Sequence, residues 1–214
     1  MAKLYFRYGA MGCGKTMQLL QVAFNYEERG HRVCVMKPKT DTKNGEKLLT
    51  RIGPERVTDF CFEKKDDLFK IVKEQSSKKK KKIACVLIDE AQFLTAKQVD
   101  QLMKITTDLE IPVMAYGLRL NFRLTDGGFE GATRLLQIAH DIDEIKTICE
   151  CGRKATLNAR FLNDEFMVDG PDILIDDGSS EIEYRAICPK CYARYASGKK
   201  EKETHSKNIE RAKC

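Results

Sequence analysis

Eight residues near the start of the chain, GAMGCGKT at Gly9 to Thr16, restrict the fold more than any other stretch. The spacing Gly-x-x-x-x-Gly-Lys-Thr cradles a polyphosphate only when a strand delivers the chain to it and a helix leads away. Both flanks are present. KLYFRYG alternates as a strand does, and KTMQLLQVAFNYEERG carries Met17, Leu20, Val22, Ala23 and Phe24 at helical spacing. Gly30 is suited to cap that helix. HRVCVMKP then reads as a second buried strand closed by Pro38. Strand, loop, helix, strand is the opening of a parallel α/β sheet. The plainer alternative, a chance match in a glycine-rich turn, would not call for these flanks.

The loop chemistry follows from its residue types. Gly9, Gly12 and Gly14, with the small side chains of Ala10 and Cys13 and with Met11 between them, let backbone N–H groups point inward around phosphate oxygens. Lys15 brings a positive charge to the β- and γ-phosphates, and the Thr16 hydroxyl is a Mg²⁺ ligand. The following helix directs its positive dipole end at the same place.

Downstream, residues 39–56 are polar and irregular, and a mobile or ligand-contacting loop is expected there. DDLFKIVKEQ reads as a helix ended by a lysine run. IACVLIDEAQF is a continuous apolar strand with acids at its end, as in parallel strands buried on both faces. TAKQVDQLMKIT opens with a Thr N-cap and repeats Val99, Leu102 and Met103. IPVMAYGL is a fourth strand, GATRLLQIA a short helix, and DEIKTI leads out of the sheet near residue 147.

Asp89 and Glu90 lie at the carboxyl end of the acid-bearing strand, where sheet ligands bind. Asp89 is placed to hold Mg²⁺, which leaves Glu90 to take a proton from a hydroxyl or from water. A helix N-cap with a dipole-stabilising acid would explain one carboxylate well and two poorly. AYGLRLNFR, from Ala115 to Arg123, follows a strand on the same side. Phe93 and Phe122 come just after strands, where aromatic rings can stack on a planar base. On burial statistics alone, core packing is the favoured reading of both.

Beyond Cys149 helical periodicity disappears and short β-like pieces take over: ARFLN, DILID, EYRAIC. Cys149-x-Cys151 and Cys188-Pro-Lys-Cys191 offer four thiolates, enough for a closed tetrahedral and therefore structural Zn²⁺ site. The one-residue gap in the first pair is less common, and four buried free thiols are the alternative. Cys34, Cys61 and Cys85 sit in apolar surroundings and read as core thiols. The expected organisation is a nucleotide-binding α/β domain over 1–147, a zinc-binding domain over 148–196, and a disordered basic tail over 197–214.

Composition narrows the partners. The net charge is +6, but much of the excess lies in Lys78 to Lys82 and in the tail after Ser197. Such runs are usually solvated, so nucleic acid is not expected as the partner. The longest apolar runs are about strand length and the N-terminus has no signal-peptide core, so no membrane is expected and the setting is cytoplasmic. In that setting nine cysteines point to metal and core thiols rather than disulfides. One competing activity stays open on these residues, a nucleic-acid-stimulated P-loop ATPase, since DEAQ resembles a helicase acid motif.

Taken in order and spacing, GAMGCGKT, DEAQF, YGLRLNF and the late cysteine pairs resemble the type II thymidine kinases. RIG at Arg51 to Gly53 and ICECGRKA at Ile148 to Ala155 are similar to the bacterial branch. The resemblance spans roughly residues 1 to 195. It implies a RecA-like domain that binds ATP with Mg²⁺, and a small zinc-stabilised domain whose lasso closes over thymidine through backbone contacts. It implies Glu90 as the base on the 5′-hydroxyl, with Met11, Phe93, Leu118 and Phe122 around the thymine ring. Arg160 matches a family arginine that faces the phosphates. Ile173, Leu174, Ile175, Asp176 and Asp177, with Tyr184, match the lasso. The resemblance also implies thymidine, and deoxyuridine with it, as acceptor, dTTP as feedback inhibitor and a homotetramer. One departure stands out: Asp41-Thr42-Lys43 replaces the usual Asp-x-Arg, keeping the charge but losing bidentate geometry.

Overall fold

A computed structural model describes residues 1–40, 45–50, 53–78, 81–124, 128–170 and 182–198. The first part runs β1 (Leu4–Tyr8), α1 (Lys15–Glu28), β2 (Arg32–Pro38), β3 (Lys47–Leu49), β4 (Glu55–Val57), β5 (Phe60–Phe62), α2 (Leu68–Lys78), β6 (Ile83–Ile88), α3 (Ala96–Asp108), β7 (Val113–Gly117), α4 (Glu130–Ile138) and β8 (Asp141–Glu144). A short 3₁₀ turn, Ala91–Phe93, follows β6. The second part holds β9 (Thr147–Ile148), β10 (Lys154–Ala155), β11 (Leu157–Leu162), β12 (Glu165–Met167), β13 (Ile182–Ile187) and α5 (Pro189–Ala196).

Six strands form one parallel sheet in the order β5-β2-β6-β7-β1-β8. The strand β7 therefore stands between the one that feeds the glycine loop and the one that Asp89 follows. A parallel sheet with helices on both faces is what the sequence reading expects, and the resemblance implies its RecA-like character. The strand order places both functional strand ends on one edge of the molecule.

Alternation along the strands assigns the two faces. Cys34 and Met36 of β2 and Val86 and Ile88 of β6 pack with Leu4, Phe6 and the helices α2, α3 and α4. Val33, Val35, Cys85, Leu87 and Tyr116 pack on the opposite face against Leu19, Leu20 and Ala23 of α1. Gly30 ends α1 with φ 77°, its N–H bonded to Glu27 C=O, as expected of a glycine after a helix. Thr95 caps α3 in a reciprocal box with Gln98.

The structure differs from the sequence reading in four places. Both edge strands, β5 and β8, are additional. Each has only three or four residues, and β8 (DIDE) is mostly charged, so neither shows the apolar run of a central strand. A small antiparallel hairpin, β3–β4, lies inside the stretch expected to be irregular. Phe24, counted on the buried stripe of α1, is 62% exposed, because the stripe is centred on Leu19, Leu20 and Ala23. Finally, α5 is a helix within the region where helical periodicity disappears. Cys188 caps it and Pro189 starts it, a start signal that outweighs its short length.

A third cluster fills the second part. Phe161, Phe166, Tyr192 and Tyr195 pack edge to face or stacked beside the four cysteines. Of the stretches named above, 41–44, 51–52, 171–181 and the tail from 199 lie outside the described residues.

Candidate active site

The glycine loop is built to leave donors free. Gly14 occupies the N-cap of α1 in the left-handed region, φ 86°, where an L side chain is strained. It offers no side chain to satisfy the first-turn N–H groups, and no acid sits in that turn. The unpartnered end of the helix thus faces the loop, the arrangement that binds anions. Lys15 is 8% exposed and folds back, donating to the carbonyls of Ala10 (2.9 Å) and Gly9 (3.2 Å).

Across the sheet end, the Thr16 hydroxyl donates to Asp89 Oδ2 at 3.0 Å. Asp89 is 3% exposed, and its other oxygen, Oδ1, is buried without a hydrogen-bond partner among the described residues. Burial, aided by the neighbouring Glu90 charge, pushes the Asp89 carboxyl up to about 7, against the opposing hydrogen bond from Thr16. A buried carboxylate with an open oxygen, beside a hydroxyl, fits a hard divalent cation.

Glu90 is half-buried and adopts φ 49°, an uncommon conformation for a non-glycine residue. It heads the 3₁₀ turn without capping it through its side chain. Instead its carboxylate accepts from Gln92 Nε2. The same Gln92 amide accepts the Leu118 N–H at 3.0 Å through Oε1 and is 2% exposed. A Cβ on Gly117 would come within 2.8 Å of that oxygen, so the end of β7 is cut back to admit the amide. The sequence gives no sign of this role, because a Gln close behind two acids carries no signal of burial.

The aromatic positions divide. Phe122 is buried at 3% exposure, with the Arg160 guanidinium 3.6 Å from its ring centroid. Arg160 itself is 1% exposed and donates to Asp169 C=O at 2.9 Å. This is a ring-stacked, backbone-anchored arginine. Phe93 is half-buried, edge-on to Phe129 at 5.6 Å, and Leu118 is buried. Tyr184 on β13 is half-buried and stands opposite Arg160 in register. Met11 is half-buried at the loop tip. Residues 173–177, and Lys43, lie outside the described residues.

Asn158, also absent from the sequence reading, joins the two parts. Its Oδ1 accepts the Met11 N–H at 2.8 Å and its Nδ2 donates to Leu120 C=O at 3.0 Å.

The four late cysteines do converge. Their sulfurs lie within 4.8 Å of one another, with Cys151 and Cys188 3.6 Å apart. Tetrahedral thiolate coordination at about 2.3 Å per bond needs sulfur separations of just this order. The Gly152 N–H donates to Cys149 C=O at 2.8 Å, closing a turn that holds Cys149 and Cys151 together across the one-residue gap. Hydrogen bonding from the Arg153 backbone, with the neighbouring thiols, holds Cys151 down to about 6, whereas burial pushes Cys149 and Cys191 up. The cluster is consistent with structural zinc. Of the three core thiols, Cys34 and Cys85 are buried and Cys61 is half-buried.

The chain is similar to known proteins over most of its length. A family model described as thymidine kinase matches residues 2–192. A thymidine kinase of Francisella tularensis subsp. holarctica (strain LVS) is 44% identical over 89% of this chain and 96% of its own. One from Coxiella burnetii (strain RSA 493 / Nine Mile phase I) is 47% identical over 77% and 82%. A solved structure of Bacteroides Pif1 bound to single-stranded DNA covers 67% of this chain and 38% of that chain at 16% identity. Its TM-score is 0.35, too low to bear on fold or function.

Proposed function

This chain belongs to the thymidine kinase family, and from that premise we propose how its residues carry out phosphoryl transfer from ATP to the 5′-hydroxyl of thymidine. The activity is that of an ATP-dependent thymidine kinase, which yields dTMP for DNA synthesis. The observation that carries the assignment of roles is the meeting of Thr16, Asp89 and Glu90 at one sheet end, with Gln92 linking Glu90 to the segment Leu118–Phe122.

ATP lies with its phosphates in Gly9–Thr16. Lys15 leaves the carbonyls of Gly9 and Ala10 for the β- and γ-oxygens, and the free N–H groups of the loop and α1 meet the rest. Thr16 and Asp89 would hold Mg²⁺, which would supply positive charge against the phosphates. Thymidine sits between Met11, Phe93, Leu118 and Phe122, closed over by Ile173–Asp177 and Tyr184. Glu90 accepts the 5′-hydroxyl proton as that oxygen bonds to the γ-phosphorus and the bond to the β–γ bridging oxygen breaks, releasing ADP. Arg160, poised on Phe122, faces the phosphates in the closed complex.

Residues 1–147 form the ATP-binding domain, and 148–196 form the lasso domain held by one zinc on Cys149, Cys151, Cys188 and Cys191. The working form is a cytoplasmic homotetramer inhibited by dTTP, and deoxyuridine serves as a second acceptor. Among the described residues no helix is long and apolar enough to cross a membrane.

The direct experiment supplies purified protein with ATP, Mg²⁺ and labelled thymidine, with and without DNA. Thymidylate formation indifferent to DNA is expected. ATP hydrolysis that needs nucleic acid and gives no thymidylate would refute the reading.

A further inference from the structure

The segment expected to touch the nucleoside is held from two sides, at Leu118 by Gln92 and further along by the second part of the chain. Three contacts tie it to the second part of the chain. The Tyr192 hydroxyl donates to Phe122 C=O at 3.2 Å, Arg123 donates to Gly170 C=O at 2.6 Å, and Arg160 stacks on the Phe122 ring. Asn158 adds a fourth, from Nδ2 to Leu120 C=O, and its Oδ1 holds the Met11 N–H of the phosphate loop.

Both neighbours dictate which way the carboxamide points. A backbone N–H can meet only the amide oxygen, and a carbonyl can meet only the NH₂. At 4% exposure, water is a poor substitute for either partner. Asn158 and Arg160 lie two residues apart on β11, and so on the same face of that strand. One strand therefore grips the nucleoside segment with Arg160 and the phosphate loop with Asn158.

We infer that Asn158 is a positioning residue that couples the two substrate sites, so that occupation of the phosphate loop strengthens thymidine binding. The inference rests on the assignment of Gly9–Thr16 to ATP and of Leu118–Phe122 to the nucleoside. Phosphate binding requires the loop's N–H groups to be held in one arrangement. Fixing Met11 fixes the amide of Asn158, and through its second hydrogen bond fixes Leu120, two residues from both Leu118 and Phe122. Thymidine then meets a segment already ordered. By thermodynamic reciprocity, thymidine strengthens ATP binding by the same factor.

The test is calorimetric titration of the full-length, zinc-loaded protein with thymidine, with and without a saturating non-hydrolysable ATP analogue and Mg²⁺. In the unaltered protein the analogue should tighten thymidine binding about tenfold, the scale of one or two buried hydrogen bonds. Asn158→Asp keeps an acceptor for Met11 but sets a carboxylate against the Leu120 carbonyl, and Asn158→Ala removes both bonds. In each the analogue should change thymidine affinity less than about twofold, whatever happens to affinity itself. Undiminished coupling in a folded variant, or no coupling in the unaltered protein, overturns the inference. Hydrogen exchange provides a measurement without substitution. The analogue alone should slow exchange of the amides at 118–122, and unchanged rates there also overturn it. A protein that makes no thymidylate at all refutes the proposed function instead.

Discussion

The Thr16 hydroxyl reaches Asp89 Oδ2 across 3.0 Å, joining the start of α1 to the end of β6 at the mouth of the site. Two residues 73 positions apart thus share one bond, and β7 stands between the strands that deliver them. Burial leaves the second oxygen of Asp89 open, and the ligand-free protein carries that cost.

The cost has a pH signature. The Asp89 carboxyl titrates near 7 when folded and in the ordinary range, near 3.8, when unfolded. Between those values the folded protein holds a proton that the unfolded chain has lost, so stability falls as pH rises through that window. Asp89→Asn should therefore raise the melting temperature of the ligand-free protein at pH 8 by a few degrees and leave it nearly unchanged at pH 4. The same substitution should abolish most Mg²⁺-dependent ATP binding. In the unaltered protein, Mg²⁺·ATP affinity should rise as pH increases towards 7, because the cation needs the ionised form. Melting curves and titrations across pH 4–8 decide this, and a melting difference independent of pH would contradict it.

Glu90 and Gln92 separate chemistry from positioning. Glu90→Gln should bind ATP normally and lose about 10²- to 10⁴-fold in kcat, the usual contribution of a positioned base. Gln92→Ala should lose less, about tenfold. It leaves the base present but frees its carboxylate and orphans the buried Leu118 N–H. Because Leu118 lines the expected nucleoside site, its KM for thymidine should also rise. Single-turnover kinetics with both variants provides the comparison, and near-normal turnover in Glu90→Gln would remove it as the base.

The cysteine cluster makes a prediction about metal. One zinc per chain should be found by elemental analysis. Cys188→Ser should lower zinc content and depress the melting temperature by about 5–10 °C, as expected when a few kcal/mol of metal-linked folding energy is lost. Cys188 also caps α5 by accepting the Cys191 N–H at 3.5 Å, so the helix should fray with it. Cys149 and Cys191 have raised thiol pKa values, so metal binding must release protons and zinc affinity should increase with pH. A fully folded protein without metal would rule the site out.

The local patterns were legible before any coordinates. A phosphate loop needs glycines at fixed spacing, a lysine and a hydroxyl, so GAMGCGKT declares itself. The acids after a buried apolar strand do the same, and Thr95 is visible as a cap because its partner lies three residues away. The edge strands β5 and β8 were not legible, since short strands are defined by the neighbours they pair with. The helix α5 was hidden for a similar reason: eight residues give too few turns for a periodic stripe, and its stability comes from the aromatic cluster it packs on.

By itself, then, the sequence determined the class of fold and displayed the glycine loop, the paired acids and the four thiols, because each depends on residues close together in the chain or on residue types with one dominant chemistry. Tertiary structure alone decided what those groups touch. Nothing in an isolated Gln or Asn announces that Gln92 will bridge Glu90 to Leu118, or that Asn158 will bridge Met11 to Leu120. A side-chain amide acquires a role only when burial removes water and leaves it two backbone partners, one a donor and one an acceptor. Such partners are set by the crossing of strands far apart in sequence, which no local pattern records.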